Sequence, residues 1–308
     1  MKSLAPIILF VYNRPNHTKR TIEALSANYL AEKSELFIYS DAPKNESEQE
    51  NVEAVRNYIK MINGFKKVKI IERTQNFGLV KSIKEGVSEI VNSFGKVIVI
   101  EDDLITHPQF LEFVNKALDL YEEKKEVFSI TGYSHFDFKE NEVFNQLYFA
   151  KIISTWTWAT WSDRWAFYDD NITDTKILNS DKKVRRKFNY DNSYNYYKLL
   201  NDQRRGMGKS WGIIWYWNVF KVGGVTLYPT ATLVEQIGFD GSGENSRNYN
   251  FSWERIKNTQ YEFIFPNLFE EDALLRQKLV KVLKKRKLMI LYSLIKSKII
   301  RFLNTKKK

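Results

Sequence analysis

The stretch VIVIEDDLITHPQFLEF, residues 97–113, decides how this chain is read. Four consecutive branched apolar residues describe a strand buried on both faces, and they run straight into three carboxylates, Glu101, Asp102 and Asp103. One acid here would complement the dipole of the next helix, whose start Pro108 marks. Three acids exceed what a helix start needs. If extended geometry persists through them, Glu101 and Asp103 project to one side and Asp102 to the other.

The same strand signature recurs upstream. Apolar runs at 7–11, 36–39 and 68–71 precede the one at 97–100, and helical patterns over 17–29, 48–62, 78–92 and 108–122 separate and follow them. Strand and helix alternating in this way predict an α/β fold with a parallel sheet covered on both faces, its function at the carboxyl ends of the strands. Those ends read YNRP at 12–15, SDAPKN at 40–45, ERTQNFG at 72–78 and EDD at 101–103. They bring Arg14, Asp41, Asn76 and the acid triplet to one crevice. The first loop has no glycine, so the GxGxxG cradle of dinucleotide-binding folds is absent. A phosphate ligand therefore needs another counter-charge, and Mg²⁺ or Mn²⁺ held by one or two carboxylates supplies it.

Composition narrows the choices. The 308 residues contain no cysteine, which excludes disulfides and thiolate metal sites, and His17, His107 and His135 are too few for a histidine cage. The formal charge of +11 is concentrated at one end: residues 278–308 hold 12 of the 48 basic residues and no acid, leaving 36 basic residues against 37 acids in the rest. A neutral body argues against nucleic acid as partner, and the tail has no base-reading motif. Within the tail, LVKVLKKRKLMILYSLIKSKIIRFL reads as a basic amphipathic helix suited to an anionic membrane surface, its apolar run too short to span a bilayer. The opening MKSLAPIILFVYNRP, interrupted by Pro6, reads as the first strand of a cytoplasmic protein and not as a cleaved signal peptide.

The motifs FVYNRP, YSDAPK, QNFGLVKSIKEGV and VIVIEDDLITHPQFLEF, followed by STWTWATWSDRW at 154–165, KSWGIIWYW at 209–217 and GGVTLYPTATLVEQIGFDGSGENS at 223–246, occur in this order. The set resembles nucleotide-sugar glycosyltransferases of the GT-A fold. The likeness is to the N-acetylglucosaminyltransferase I branch and to bacterial enzymes of surface-polysaccharide synthesis. It implies a mixed, mainly parallel sheet flanked by helices, with the C-terminal basic helix as an appendage. A glycosyltransferase domain over 1–270 would divide into a nucleotide-sugar half, 1–125, and an acceptor half, 126–270, with a closing loop at 237–250 and a membrane-associating tail at 271–308. By the same resemblance Asp103 is the metal ligand on the donor diphosphate, Asp102 contacts ribose and base, and Glu101 holds the donor sugar. Arg14 contacts the pyrophosphate, Asp41 the uracil, Ser82 a further part of the donor, and Trp211 lies beside the sugar.

Negative charge develops on the leaving diphosphate, and a metal with Arg14 stabilises it there. An inverting transfer also needs a carboxylate to take the proton of the acceptor hydroxyl. Here the chain departs from the family it resembles, reading Trp211–Gly212 where the eukaryotic members have Trp followed by the catalytic Asp. Asp240, Asp163 and Glu235 are the acids near the remaining motifs, with Asp240 preferred. Trp158, Trp161 and Trp165 are spaced three and four apart, as on one buried face of a helix.

These readings predict transfer from a UDP-linked sugar, such as UDP-N-acetylglucosamine, to a glycan or lipid-linked acceptor at the inner face of a bacterial plasma membrane. The alternatives are a sugar nucleotidyltransferase, against which the glycine-free first loop argues, and a non-catalytic sugar-binding scaffold, which Gly212 favours.

Overall fold

The computed structural model describes residues 3–136, 147–243 and 255–305. The first half alternates as its apolar periodicity predicts: β1 (Ile7–Val11), α1 (Pro15–Ser26), β2 (Glu35–Ser40), α2 (Gln49–Ile59), β3 (Lys67–Glu72), α3 (Gly78–Phe94) and β4 (Lys96–Glu101). The short β5 (Leu104–Thr106) follows, then α4 (Phe110–Tyr121), β6 (Val127–Thr131), β7 (Leu147–Ala150), β8 (Trp158–Trp161) and one helical turn, α5 (Ser162–Trp165). Helices α6 (Lys176–Ser180), α7 (Lys182–Phe188), α8 (Tyr196–Arg204) and α9 (Trp211–Lys221) lead to β9 (Val225–Pro229), β10 (Val234–Gln236) and the long α10 (Ala273–Thr305).

Eight strands form one mixed sheet in the order β3-β2-β1-β4-β8-β6-β9-β7. β1, β2, β3 and β4 are mutually parallel, as is the β6–β9 pair, whereas β8 runs antiparallel to β4 and β6, and β7 to β9. Both faces are covered. Ile7, Leu9 and Val11 of β1 point into a core with α1, α2 and α4, while Ile8 and Phe10 point into a second core with α3 and the tryptophans of α9. Each such side chain, almost wholly removed from water, contributes roughly 1.5–3 kcal/mol. This two-sided burial makes the strands read as continuous apolar runs.

The third core unites β7, β9 and the helices α6 to α9 with Leu279 and Leu283 of α10. α9 is buried from Trp211 to Val219, and its sequence is accordingly apolar on all sides. A boundary at 270/271 therefore separates less than the charge count implies, because the first turns of α10 belong to the body. Among the described residues no helix is long and apolar enough to cross a membrane.

Two local expectations change. Pro108 lies in a turn before α4, which begins at Phe110, and β5 intervenes because Leu104–Thr106 pairs antiparallel with β10. Trp158 and Trp161 do not share a helix face. They begin and end strand β8, and only Trp165 lies on the helical turn that follows. All three are buried, so the packing expected of them holds although the element differs.

Candidate active site

The carboxyl ends of β1, β2 and β4 open into a cavity of about 600 Å³. It is lined by Arg14, Asp41, Asn76, Ser82 and the triplet Glu101, Asp102 and Asp103, and also by Thr155, Trp156, Lys209, Ser210, Trp211 and Gly212. The strand-end residues read from the sequence thus share one space. Asp240 is the exception.

β4 ends at Glu101, and the chain turns through Asp102 and Asp103, so the strand alternation expected of the triplet stops there. The turn lets Arg14, just before α1, reach both aspartates: its Nη2 pairs with Asp102 Oδ1 and stands 2.9 Å from Asp103 Oδ2. Burial disfavours the Arg14 charge, but the two carboxylates outweigh it and hold its pKa above the ordinary guanidinium value. Three acids against one cation leave a negative surplus. Burial raises Asp102, with the Asp103 charge adding to the rise and the Arg14 charge opposing it. Glu101 is pushed up to about 8, first by desolvation and then by Asp103 and Asp102; Arg14 and a hydrogen bond from the Trp211 side chain work against the shift. Near neutral pH Glu101 is therefore mostly protonated.

Two of the donor-side residues do structural work. Asp41 accepts the backbone N–H groups of Ala42 (3.0 Å), Phe77 (2.9 Å) and Gly78 (2.9 Å), so it fixes the start of α3 to the end of β2. Asn76 Nδ2 donates to the Ala42 carbonyl at 2.6 Å, tying the same two loops. Ser82 lines the cavity with its buried Oγ unpartnered. Trp211 also lines it, its ring tilted against that of Trp158 with centroids 5.2 Å apart.

The segment following β10 lies across the triplet. Ile237 N–H donates to the Asp103 carbonyl at 2.9 Å, and Phe239, Ser242 and Gly243 line the cavity. Gly238 sits so close that a Cβ there would overlap Asp103 Oδ2 and stand 3.0 Å from Arg14 Nη1. The Asp240 carboxylate turns away to His17 Nε2, 3.1 Å distant, and accepts the Ser242 N–H at 2.9 Å. In this arrangement it is outside the cavity wall. Residues 244–250 of the expected closing loop lie outside the described residues.

Of the other two acids considered for the base, Asp163 is committed elsewhere, pairing with Lys125 (2.8 Å) and Arg164 (2.7 Å); Glu235 is half-buried on β10 opposite Ile105 and does not line the cavity. Gly212 is explained by its neighbour: a Cβ there would stand 2.5 Å from Thr155 Cγ2. The space that a side chain at 212 would enter is filled by the Thr155 methyl group.

Among the described residues no three histidine or acidic side chains group tightly enough to hold a metal alone. A divalent cation at a nucleotide site needs only one or two carboxylates, since phosphate and water complete the shell. Asp102 and Asp103 meet that requirement. Asp102 Oδ2 is buried without a hydrogen-bond partner, and the absence of a side chain at Gly238 avoids a clash with Asp103 Oδ2.

Tyr12, Glu48, Lys44, Arg73, Thr155 and Lys209 also line the cavity and were not singled out by sequence. Glu48 accepts hydrogen bonds from the Tyr12 hydroxyl, Asn13 and Lys44 N, which closes the far end of the cavity. Arg73 and Lys209 sat inside the motifs ERTQNFG and KSWGIIWYW, but nothing in their spacing distinguishes them from surface cations.

Residues 7–181, more than half of the chain and all of β1 to β8, match the family model described as Glycosyl transferase family 2. The chain belongs to this family. It is a glycosyltransferase with the GT-A architecture, and the nucleotidyltransferase and scaffold alternatives give way to that assignment. No curated protein matches the sequence. Among solved structures, this glycosyltransferase is similar to TarS from S. aureus, at 9% identity and TM-score 0.41, over 77% of this chain and 37% of TarS. It is similar also to the mannosyltransferase PcManGT from Pyrobaculum calidifontis, solved with GDP-Man and Mn²⁺ (11%, TM-score 0.37, 71% of this chain and 73% of that one). Galactosyltransferase LgtC with donor and acceptor sugar analogues gives 8% identity and TM-score 0.38, over 72% of each chain. Likenesses this distant add nothing to the argument from the family.

Proposed function

We propose that this glycosyltransferase moves a sugar from a UDP-linked donor to a glycan or lipid-linked acceptor of bacterial surface-polysaccharide synthesis, with inversion and with the help of Mn²⁺ or Mg²⁺. The observation that carries the reading is the Arg14–Asp102–Asp103 cluster on the wall of a cavity large enough for a nucleotide sugar. Asp103, with Asp102 beside it, would hold the cation. When bound, it supplies Lewis-acid stabilisation of the diphosphate leaving group. Arg14 adds a fixed positive charge at the same place, and its two aspartates orient it before substrate arrives. Protonated Glu101, held by Trp211, is a hydrogen-bond donor to a donor-sugar hydroxyl. The segment 237–243 excludes water from the diphosphate side. In this division residues 1–125 bind the donor and 126–270 the acceptor. Asp240 serves as base only if that segment turns its carboxylate from His17 into the cavity. The tail from 278 onward would hold the enzyme at the anionic inner face of the membrane.

The test is calorimetric titration with UDP and UDP-N-acetylglucosamine, with and without Mn²⁺, for the wild type and Asp103→Ala. Mn²⁺-dependent binding weakened at least tenfold in the variant is expected. Equal binding by both proteins would remove Asp103 from the donor site, and no binding at all would remove UDP-sugars as donors.

A further inference from the structure

The chain segments that line the cavity differ in charge. The strand ends contribute the acid triplet; the 154–156 loop and the α8–α9 junction contribute no carboxylate and one cation, Lys209. The other lining cations are engaged: Arg14 with the aspartates, Arg73 with Glu85 and the Phe77 ring, and Lys44 over the Tyr12 ring. Among the described residues Lys209 has no ion pair. Its position is built by the loop RGMGK, 205–209. The N–H groups of Met207 and Gly208 both donate to the Asp202 carbonyl, and Ser210 N donates to Gln203 Oε1 at 2.9 Å. A Cβ at Gly208 would stand 2.9 Å from the Gln203 backbone, so only glycine lets the loop close this tightly on α8. The loop is pinned on both sides of Lys209, which is exposed and lines the cavity. Arg205, exposed at the opposite end of the loop, adds a second positive charge. The Gly212–Thr155 contact works in the same direction, because it bars an acid from position 212.

We propose that this loop is a subsite for an anionic acceptor, with Lys209 pairing to a phosphate or carboxylate group carried close to the hydroxyl that receives the sugar. The proposal rests on the donor reading above, since it assigns the diphosphate to Arg14 and the acid triplet and leaves Lys209 for the acceptor. Because Lys209 is exposed, a charge-assisted hydrogen bond from it corresponds to about tenfold in affinity at most, and it weakens with salt.

The experiment uses the full chain, first titrated with UDP and Mn²⁺ and then, with UDP saturating and also without it, with glucose 1-phosphate, glucuronate and glucose. The expected result is binding of one or both anions up to about tenfold tighter than glucose. Lys209→Met abolishes that preference, Lys209→Arg retains it, and UDP affinity is unchanged in both. A preference confined to glucose 1-phosphate assigns the subsite to a phosphorylated acceptor; one shared with glucuronate assigns it to acidic glycans generally. Equal binding of all three probes, or an anion preference that survives in Lys209→Met, overturns the proposal. Weaker UDP binding in Lys209→Met also overturns it, by placing Lys209 on the donor diphosphate. Failure of UDP to bind any of the proteins sinks the donor reading separately, and the probe comparison without UDP still decides the anion preference.

Discussion

At the scale of single residues, Gly212 at the start of α9 is closed in by a neighbour. The Thr155 methyl group fills the volume that any side chain at 212 would need, so the glycine and the presence of Thr155 are one structural fact. Gly212→Ala should then cost about 1–3 kcal/mol through overpacking at a wholly buried helix start. Thr155→Ser removes the offending methyl, and the double variant should recover most of the loss, a coupling that denaturant melts of the four proteins measure. Additive effects would mean that the two residues do not compete for the space. The sequence shows a glycine at 212 but not its reason, because residues 155 and 212 meet only when α9 packs beside the loop before β8.

At the scale of elements, β1, β2 and β4 were legible because each is buried on both faces and so reads as an apolar run, whereas β3, at the sheet edge, has no buried residue and carries Lys69 within its run. β2, β3 and β4 exceed the apolar runs by one residue at each end, and α1 to α4 differ from the expected helices by a few residues. The misread elements are those whose pattern depends on distant partners. β5 is three residues long and exists through its pairing with β10, and the tryptophans of β8 mimic a helical spacing while lying between β4 and β6. α10 shows a related effect: its basic charge hides a docked face. Leu279 is fully buried, Arg276 pairs with Asp191 at 2.9 Å, and Arg286 donates to Tyr133 Oη (2.6 Å) and the His135 carbonyl (2.7 Å). Leu279→Ala should therefore destabilise the whole domain by roughly 2–5 kcal/mol, as a core truncation does. A surface-tail residue would shift the denaturation midpoint hardly at all, so the same melt separates the two descriptions.

At the scale of the whole molecule, buried titratable groups and the one-sided charge govern the response to solution conditions. His135 is enclosed beside Arg286, whose Nη1 lies 3.1 Å from its Nδ1; desolvation first and then this positive charge hold its pKa well below 6.5. The folded state thus keeps the ring neutral while the unfolded chain takes up a proton, so this group's contribution to stability is lost as pH falls below about 6.5. Glu101 and Asp102, with raised values, act in the opposite sense and stabilise the fold as pH falls. The difference between the wild type and His135→Gln isolates the histidine: from pH 7.5 to 5.5 the wild type should lose more stability than the variant, and parallel curves would show that His135 is not held neutral.

The tail beyond the docked turns presents Leu288, Leu291 and Tyr292, more than half exposed, among Lys284, Lys285 and Lys287. Apolar side chains interleaved with lysines favour an anionic bilayer surface, each cation near it contributing about 1 kcal/mol. The near-neutral remainder adds no comparable attraction. Deletion of residues 288–308 should leave the melt unchanged, because the buried Leu279 and Leu283 remain. The intact chain is expected to co-sediment with phosphatidylglycerol vesicles at low salt, to be released at high salt and not to co-sediment with phosphatidylcholine, and the same deletion should abolish that binding. Equal binding to both lipids, or binding that survives the deletion, would place the membrane contact elsewhere on the molecule and leave the terminal half of α10 without that role.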